Sequence, residues 1–142
     1  GYNLSAYDNA VNNLLSIRIA PIVHMIIGLP GETISDYTAT AKYIAQSGAS
    51  GIKISLLHIL KDTDLYTDYC NGLFNAMTIE DYLYAIGAIL PVLPENMVVH
   101  RLTGDGPKNI LAAPLWTTDK KRVLNTLHHY LKENKIYQGK DL

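Results

Sequence analysis

Hydrophobic positions along the chain follow two spacings, and their order predicts a parallel sheet joined by helices. Residues 22–27 and 51–57 are short apolar runs, which are typical of strands buried on both faces. Between them, Ile34, Tyr37 and Ala41 begin a helical repeat. A strand, a helix and a strand at this spacing predict a right-handed βαβ unit with parallel strands.

Periodic segments continue on both sides of this unit. They predict a helix before Pro21, helices over 64–70 and 79–90, a third strand over 97–102, and a last helix that begins near Thr118. The class that these elements predict is α/β. Three helices should begin with a capping pair, in which a Ser or Thr is followed three residues later by Asp. These pairs are Ser5 with Asp8, Thr33 with Asp36, and Thr78 with Asp81.

Composition narrows the classes of protein that fit. A length of 142 residues suits one domain, and no linker or repeat divides the chain. The formal net charge of -1 disfavours binding to nucleic acid or to a membrane by charge alone. Only 18% of the residues are charged, which is below the roughly 25% usual for soluble domains. We therefore expect part of the surface to be covered by another segment or protein.

Targeting, membrane and cysteine signals are also informative. The longest uncharged apolar stretch, near residues 82–94, is interrupted by two prolines and is too short to span a membrane. The first residues lack the basic and apolar segments of a signal peptide, so we expect a cytoplasmic protein. A single cysteine excludes an internal disulfide and an all-cysteine metal site. The sequence predicts no metal ligands within this chain.

Ligands of parallel α/β folds bind at the carboxyl ends of the strands. Three segments of this chain leave the sheet there, namely 28–33, 57–63 and 101–108. The first, with the sequence GLPGET, leads into a helix N-terminus that favours anions, but it is equally a tight capped connection. It lacks the dinucleotide-binding motif and the phosphate-loop lysine. Half of some other βα barrel, with a phosphate site at Gly31, is therefore one alternative.

Three basic side chains lie on or next to the predicted strands. His24 is either a core histidine bonded to a carbonyl or, if its face of the strand looks into a barrel, a ligand contact. His58 either lies at a surface edge or lines the same mouth. Arg101 either pairs with Asp62 or Asp105, or binds a carboxylate or phosphate.

Several stretches in order resemble one family. Residues 24–33 (HMIIGLPGET) are similar to the fifth-strand motif of radical S-adenosylmethionine (radical SAM) enzymes. Residues 52–58 (IKISLLH) resemble the sixth strand, and residues 98–102 (VVHRL) resemble the strand that follows it. The series as a whole resembles the YhcC-type family. That family is related to the radical SAM part of the Elongator catalytic subunit, a tRNA-modifying enzyme, and more distantly to oxygen-independent coproporphyrinogen oxidase.

The resemblance implies a partial (β/α)6 barrel in which three cysteines of an upstream loop hold a 4Fe-4S cluster. S-adenosylmethionine binds the fourth iron of that cluster, and one electron cleaves it to a radical that abstracts hydrogen from the substrate. This chain has no such cysteine loop, so the resemblance implies a C-terminal fragment. Residues 1–63 would be the last βα units of the barrel, and residues 64–142 a C-terminal extension packed on them.

Such a fragment is expected to be inactive alone and to bind neither S-adenosylmethionine nor the cluster. Its partner would be the missing N-terminal half-barrel. In the absence of that half, an exposed sheet edge would favour self-association. The full-length protein would be the enzyme, with oxidoreductase-like chemistry.

The resemblance assigns the family's cofactor contacts to the matching positions of this chain. The resemblance implies that His24 lies near the ribose of S-adenosylmethionine, and that Gly28 and Leu29 pass close to its adenosyl group. The sixth strand, whose backbone receives the adenine, would end with Leu57, His58 and Ile59.

The substrate is less defined, because no catalytic side chain stands out. Arg101, Asp105 and Lys108 are candidates for substrate contacts, and RNA, including tRNA, is a candidate substrate. The alternative function is a non-catalytic RNA- or protein-binding α/β module. It would use the basic residues between Lys108 and Arg122.

Overall fold

The computed structural model describes residues 3–104 and 106–142, so the first two residues and Asp105 lie outside the described residues. The chain begins with α1 (Leu4–Ser16), β1 (Ile22–Ile27), α2 (Ile34–Gln46) and β2 (Gly51–Leu56). Strands β1 and β2 pair in parallel, from Ile22 with Gly51 to Ile27 with Leu56. This confirms the predicted βαβ unit.

The second half of the chain completes the sheet and adds a small ladder. It contains β3 (Ile59–Leu60), α3 (Asp64–Cys70), α4 (Ile79–Ile89), a 3-10 turn (Leu90–Val92), β4 (Val98–Arg101), β5 (Leu111–Ala113), a second 3-10 turn (Leu115–Thr118) and α5 (Lys120–Glu133). Strand β4 pairs in parallel with β2, so the sheet has the order β1-β2-β4 and β1 lies at its edge. Strands β3 and β5 form a separate antiparallel pair, which the sequence pattern did not predict.

The end of the second strand differs from the prediction. Strand β2 stops at Leu56, and the N–H of Leu57 donates to the carbonyl of Ile27 at 2.9 Å. Ile59 was expected to end this strand, but it belongs to β3, where it pairs with Ala113 and is 1% exposed. The apolar run 51–60 is therefore divided between two ladders, because Ile59 and Leu60 pair with β5.

Two of the three predicted capping pairs are confirmed. Thr33 and Asp36 form the reciprocal capping box of α2, and the Thr78 side chain accepts a hydrogen bond from the N–H of Asp81 at 3.1 Å. The prediction for α1 was wrong. Its N-cap is Asn3, which accepts from the N–H of Ala6 at 3.1 Å and also from the Ser5 hydroxyl. An amide oxygen caps a helix as well as a serine hydroxyl does, and Asn3, whose backbone is extended, directly precedes the first helical residue.

The helices cover one face of the sheet only. Side chains at alternate positions of β1 and β2 are buried in the core against α2 and α4; they are Met25, Ile27, Ile52, Ile54 and Leu56. The intervening positions point away from the helices, so Ile22 is 41% exposed and Ile26 is 49% exposed. A parallel sheet is usually covered on both faces. A sheet that forms part of the wall of a partial barrel would have this one-sided arrangement.

None of the helices in the described part of the chain is long and apolar enough to cross a membrane.

Candidate functional site

The uncovered face of the sheet, called here the bare face, consists of the outward-pointing residues of β1, β2 and β4. His24 is exposed on β1 and is the register partner of Lys53 on β2. Ile26 is likewise the partner of Ser55. Because paired residues of parallel strands point the same way, these four side chains share the bare face. His24 is therefore exposed and does not belong to the core under the helices.

A groove of about 810 Å³ lies at the carboxyl end of β1, between the turn 28–33 and the segment 74–78. Gly28 has a φ of +86°, and its N–H donates to the hydroxyl of Tyr37 at 3.1 Å. A Cβ at Gly28 would come within 3.3 Å of Leu56 and 3.6 Å of Met77. This glycine therefore allows the turn to pass close to the end of β2. The groove has the size of many small-molecule sites.

Glu32 lies within the turn, and one of its carboxylate oxygens has no partner among the described residues. Its Oε2 atom is buried and accepts no hydrogen bond from any described residue. Burial raises the pKa of Glu32, and the negative charge of Asp36 raises it further, while a backbone hydrogen bond from Leu29 opposes both effects. A buried acceptor without a donor is costly. Glu32 is thus placed to receive a donor from outside the described residues.

A second groove, of about 420 Å³, runs along the free edge of β1. It is lined by His24, Ile26, Leu29 and Glu32 from the strand and the turn, and by residues of α1 and α2. Tyr43 lines it too, and its hydroxyl donates to Asp8 at 2.7 Å. This groove brings His24 and Leu29 together.

His58 is enclosed by the loop that follows β4. A Cβ at Gly104 would lie 2.7 Å from its Cε1, and a Cβ at Gly106 would lie 2.9 Å from its Cδ2. These are atoms on opposite sides of the imidazole ring, so the two glycines leave the space that the ring fills. His58 is half-buried at this position. The glycine-rich loop packs on His58.

Two of the three substrate candidates lie among the described residues. Arg101 is exposed at the end of β4, in register with Lys53. Lys108 lines a cavity of about 120 Å³, together with Lys120 at the start of α5. Asp105, which is a predicted substrate contact and a predicted partner of Arg101, lies outside the described residues.

Comparison with known proteins identifies the family. Residues 49–133, more than half of the chain, match the family described as the Radical_SAM C-terminal domain. The chain belongs to this family. The match begins just before β2 and ends with α5, so it includes β2, β4 and α4 but neither β1 nor α2.

Relatives match over almost the whole chain but extend beyond it. YtqA of Bacillus subtilis is 36% identical over 139 residues, which are 98% of this chain and 43% of YtqA. YhcC of Escherichia coli is 28% identical over 142 residues, which are 100% of this chain and 46% of YhcC. This chain thus spans less than half the length of these curated relatives. The predicted YhcC-type relationship is confirmed.

A solved structure has the same fold. The archaeal Methanocaldococcus infernus Elp3, with its N-terminus deleted, superposes with a TM-score of 0.80 at 16% sequence identity. The superposition covers 97% of this chain and 32% of that one. The predicted α/β fold of a partial barrel is confirmed by this likeness.

The described residues of this chain do not suit an iron-sulfur cluster. Its one cysteine, Cys70, is exposed, and no group of three or more His, Cys, Asp or Glu among the described residues is placed to hold a metal ion. They suit S-adenosylmethionine better. The groove beside Gly28 and the orphaned oxygen of Glu32 offer shape and a hydrogen-bond acceptor to an adenosyl or amino group.

Sequence reasoning missed three polar residues near this site. Lys53 and His100 were not singled out, although Lys53 occupies a position in register with His24. The run 51–56 contains that signal. Its buried residues alternate with residues on the opposite side, and Lys53 is the charged residue on that opposite side. Glu32 was part of a motif, but only the folded turn shows that its carboxylate is buried.

Proposed function

We propose that the whole protein is a radical SAM enzyme that cleaves S-adenosylmethionine reductively, and that this chain supplies the C-terminal wall of its barrel. The single observation that supports this most is the one-sided sheet, found in a chain that belongs to the radical SAM C-terminal domain family. Exposed apolar residues such as Ile22 and Ile26 on an uncovered sheet are typical of a surface that another segment covers.

S-adenosylmethionine, when bound, supplies the radical that removes hydrogen from the substrate. In this proposal His24 faces its ribose from the bare face, and Leu29, which lines the same groove, lies beside its adenosyl group. Gly28 would contact the adenosyl group from the neighbouring groove, which Leu29 also lines. Leu57 and His58, which follow the last residue of β2, approach from the neighbouring strand end. The cysteines that hold the 4Fe-4S cluster would belong to the part of the protein outside this chain.

The partner that this proposal requires is the N-terminal half of the same barrel. Strand β1 has β2 as its one partner in the sheet that the structure describes, so its other edge presents unpaired backbone groups. The groove beside that edge is lined mainly by apolar and aromatic side chains, including Tyr7 and Tyr43. A preceding parallel strand and its helix would cover both the edge and the groove.

Anaerobic iron-sulfur reconstitution of the whole protein tests this function. We expect cluster absorbance and the formation of 5′-deoxyadenosine from S-adenosylmethionine when a reductant is added. The 142-residue chain, treated in the same way, should give neither result. A whole protein that shows neither the cluster nor the cleavage would contradict the proposal.

A pair of histidine variants tests the assignment of His24. His24→Ala in the whole protein should weaken S-adenosylmethionine binding, because a side chain beside the ribose is lost. His128→Ala is the matched control, since His128 is an exposed residue of α5. Equal affinities in the two variants would remove His24 from the cofactor site.

RNA binding is a second candidate function, and one observation favours it. The first turn of α5 exposes Lys120, Lys121 and Arg122, and Lys108 lines the same cavity as Lys120. A radical enzyme that acts on tRNA would need such a basic surface. Titration of the protein with tRNA at several salt concentrations tests it, since phosphate contacts make binding salt-dependent. Binding that is absent or insensitive to salt would exclude this candidate.

A further inference from the structure

The bare face carries a cluster of basic side chains on three adjacent strands. His24 lies on β1, Lys53 on β2 and His100 on β4. His24 and Lys53 are register partners, so their Cα atoms are about 5 Å apart. Neither residue belongs to the core under the helices.

The ring of His100 reaches across the sheet because β2 has a glycine below it. A Cβ at Gly51 would lie 2.8 Å from both Cδ2 and Nε2 of His100, so any larger residue there would displace the ring. Gly51 precedes Lys53 by two positions and therefore points to the same face. The imidazole of His100 thus lies on the bare face, about 7 Å along the strand from Lys53.

Nothing among the described residues neutralises this cluster. Strands β1, β2 and β4 contain no Asp or Glu. No hydrogen bond or ion pair joins His24, Lys53 or His100 to another residue of the described ranges. An ammonium group that is exposed to water is stable without a negative partner. Inside a closed barrel it needs one, because a buried unpaired charge is costly.

We propose that Lys53 and His100, next to His24 on the bare face, bind a negatively charged group of the substrate, a carboxylate or a phosphate. This inference rests on the proposed function, which places the bare face inside the barrel. Lys53 lies three residues before the end of β2, so the anion would be held about 10 Å below the carboxyl edge of the sheet. The substrate would therefore enter with its anionic end first and leave its reactive end near the edge.

Binding of inorganic pyrophosphate to the reconstituted whole protein tests this anion site. Calorimetric titrations would compare the wild type, Lys53→Met and Lys53→Arg, with Lys42→Met as the control, because Lys42 is exposed on α2, a helix that packs on the opposite face. We expect Lys53→Met to weaken binding about tenfold or more, as loss of a charged partner does. Lys53→Arg should restore most of the affinity, and Lys42→Met should change it little.

The same titrations at saturating S-adenosylmethionine separate the sources of the anion. Pyrophosphate binding that persists supports a substrate site, whereas competition would assign the cluster to the carboxylate of the cofactor and overturn the inference. Wild-type protein that does not bind pyrophosphate, or that binds it equally after Lys53→Met, would also overturn it. Formation of 5′-deoxyadenosine is measured in parallel on the wild type. Its absence beside Lys53-dependent binding would contradict the proposed function and leave the anion site standing.

Discussion

His58 illustrates how single residues fix the loop beside the candidate site. Its ring lies between Gly104 and Gly106, and a Cβ at Gly104 would be 2.7 Å from Cε1. Gly104→Ala should lower the free energy of unfolding by about 1–3 kcal/mol, as overpacking does. In a His58→Ala background the same change should cost much less, because the obstructing ring is gone. Urea unfolding of the four proteins measures this coupling, and additive effects would show that the ring is not the obstacle.

Tyr82 is the largest fully buried side chain of the core. Its hydroxyl donates to the carbonyl of Leu102, and burial raises the pKa of this phenol, so it stays protonated as a donor. Tyr82→Phe should cost about 1–3 kcal/mol, because a buried carbonyl loses its donor. Tyr84→Phe is the control, since Tyr84 is 60% exposed. Thermal unfolding that shifts equally in the two variants would contradict this role.

At the scale of elements, the N-terminus of α2 predicts a pH dependence. Hydrogen bonds from the hydroxyl and the backbone N–H of Thr33, both 2.7 Å long, lower the pKa of Asp36 below its ordinary 3.8. The folded chain therefore binds this proton more weakly than the unfolded chain does. The stability that Asp36 contributes is complete above pH 3.8 and is lost as the pH falls through the lowered pKa.

Asp36→Asn should accordingly be less stable than the wild type at neutral pH, and the difference should shrink in acid. Asp68→Asn is the control, because Asp68 is an exposed helical residue whose side chain has no hydrogen bond or ion pair with another described residue. Urea unfolding across the acid range measures both variants. A difference for Asp36→Asn that stays constant with pH would contradict the capping box as its source.

At the scale of the whole molecule, the bare face and the free edge of β1 predict association of the isolated chain. Ile26 is 49% exposed on that face, and a charge there should oppose pairing with a second copy. Ile26→Lys should shift the chain toward monomer in sedimentation velocity. Leu73→Lys is the control, because Leu73 is 71% exposed in the turn after α3. A wild-type chain that is monomeric at every concentration would contradict this prediction.

The sequence by itself determined the elements that local patterns encode. The runs 22–27 and 51–56, the helical stripes and the capping pairs of α2 and α4 are set by side-chain periodicity and by hydrogen bonds within a few residues. The ordered motifs also predicted the family. The ladder of β3 and β5 was missed, because two- and three-residue strands carry no period and pair across about 50 residues.

Only the tertiary structure decided how the candidate site is composed. The side of the sheet that the helices cover, and hence the exposure of His24 and Lys53, depends on where α2 and α4 pack. The enclosure of His58 by Gly104 and Gly106 depends on a loop far along the chain. Register across strands and contact between distant loops are properties of the assembled core, so no local pattern could contain them.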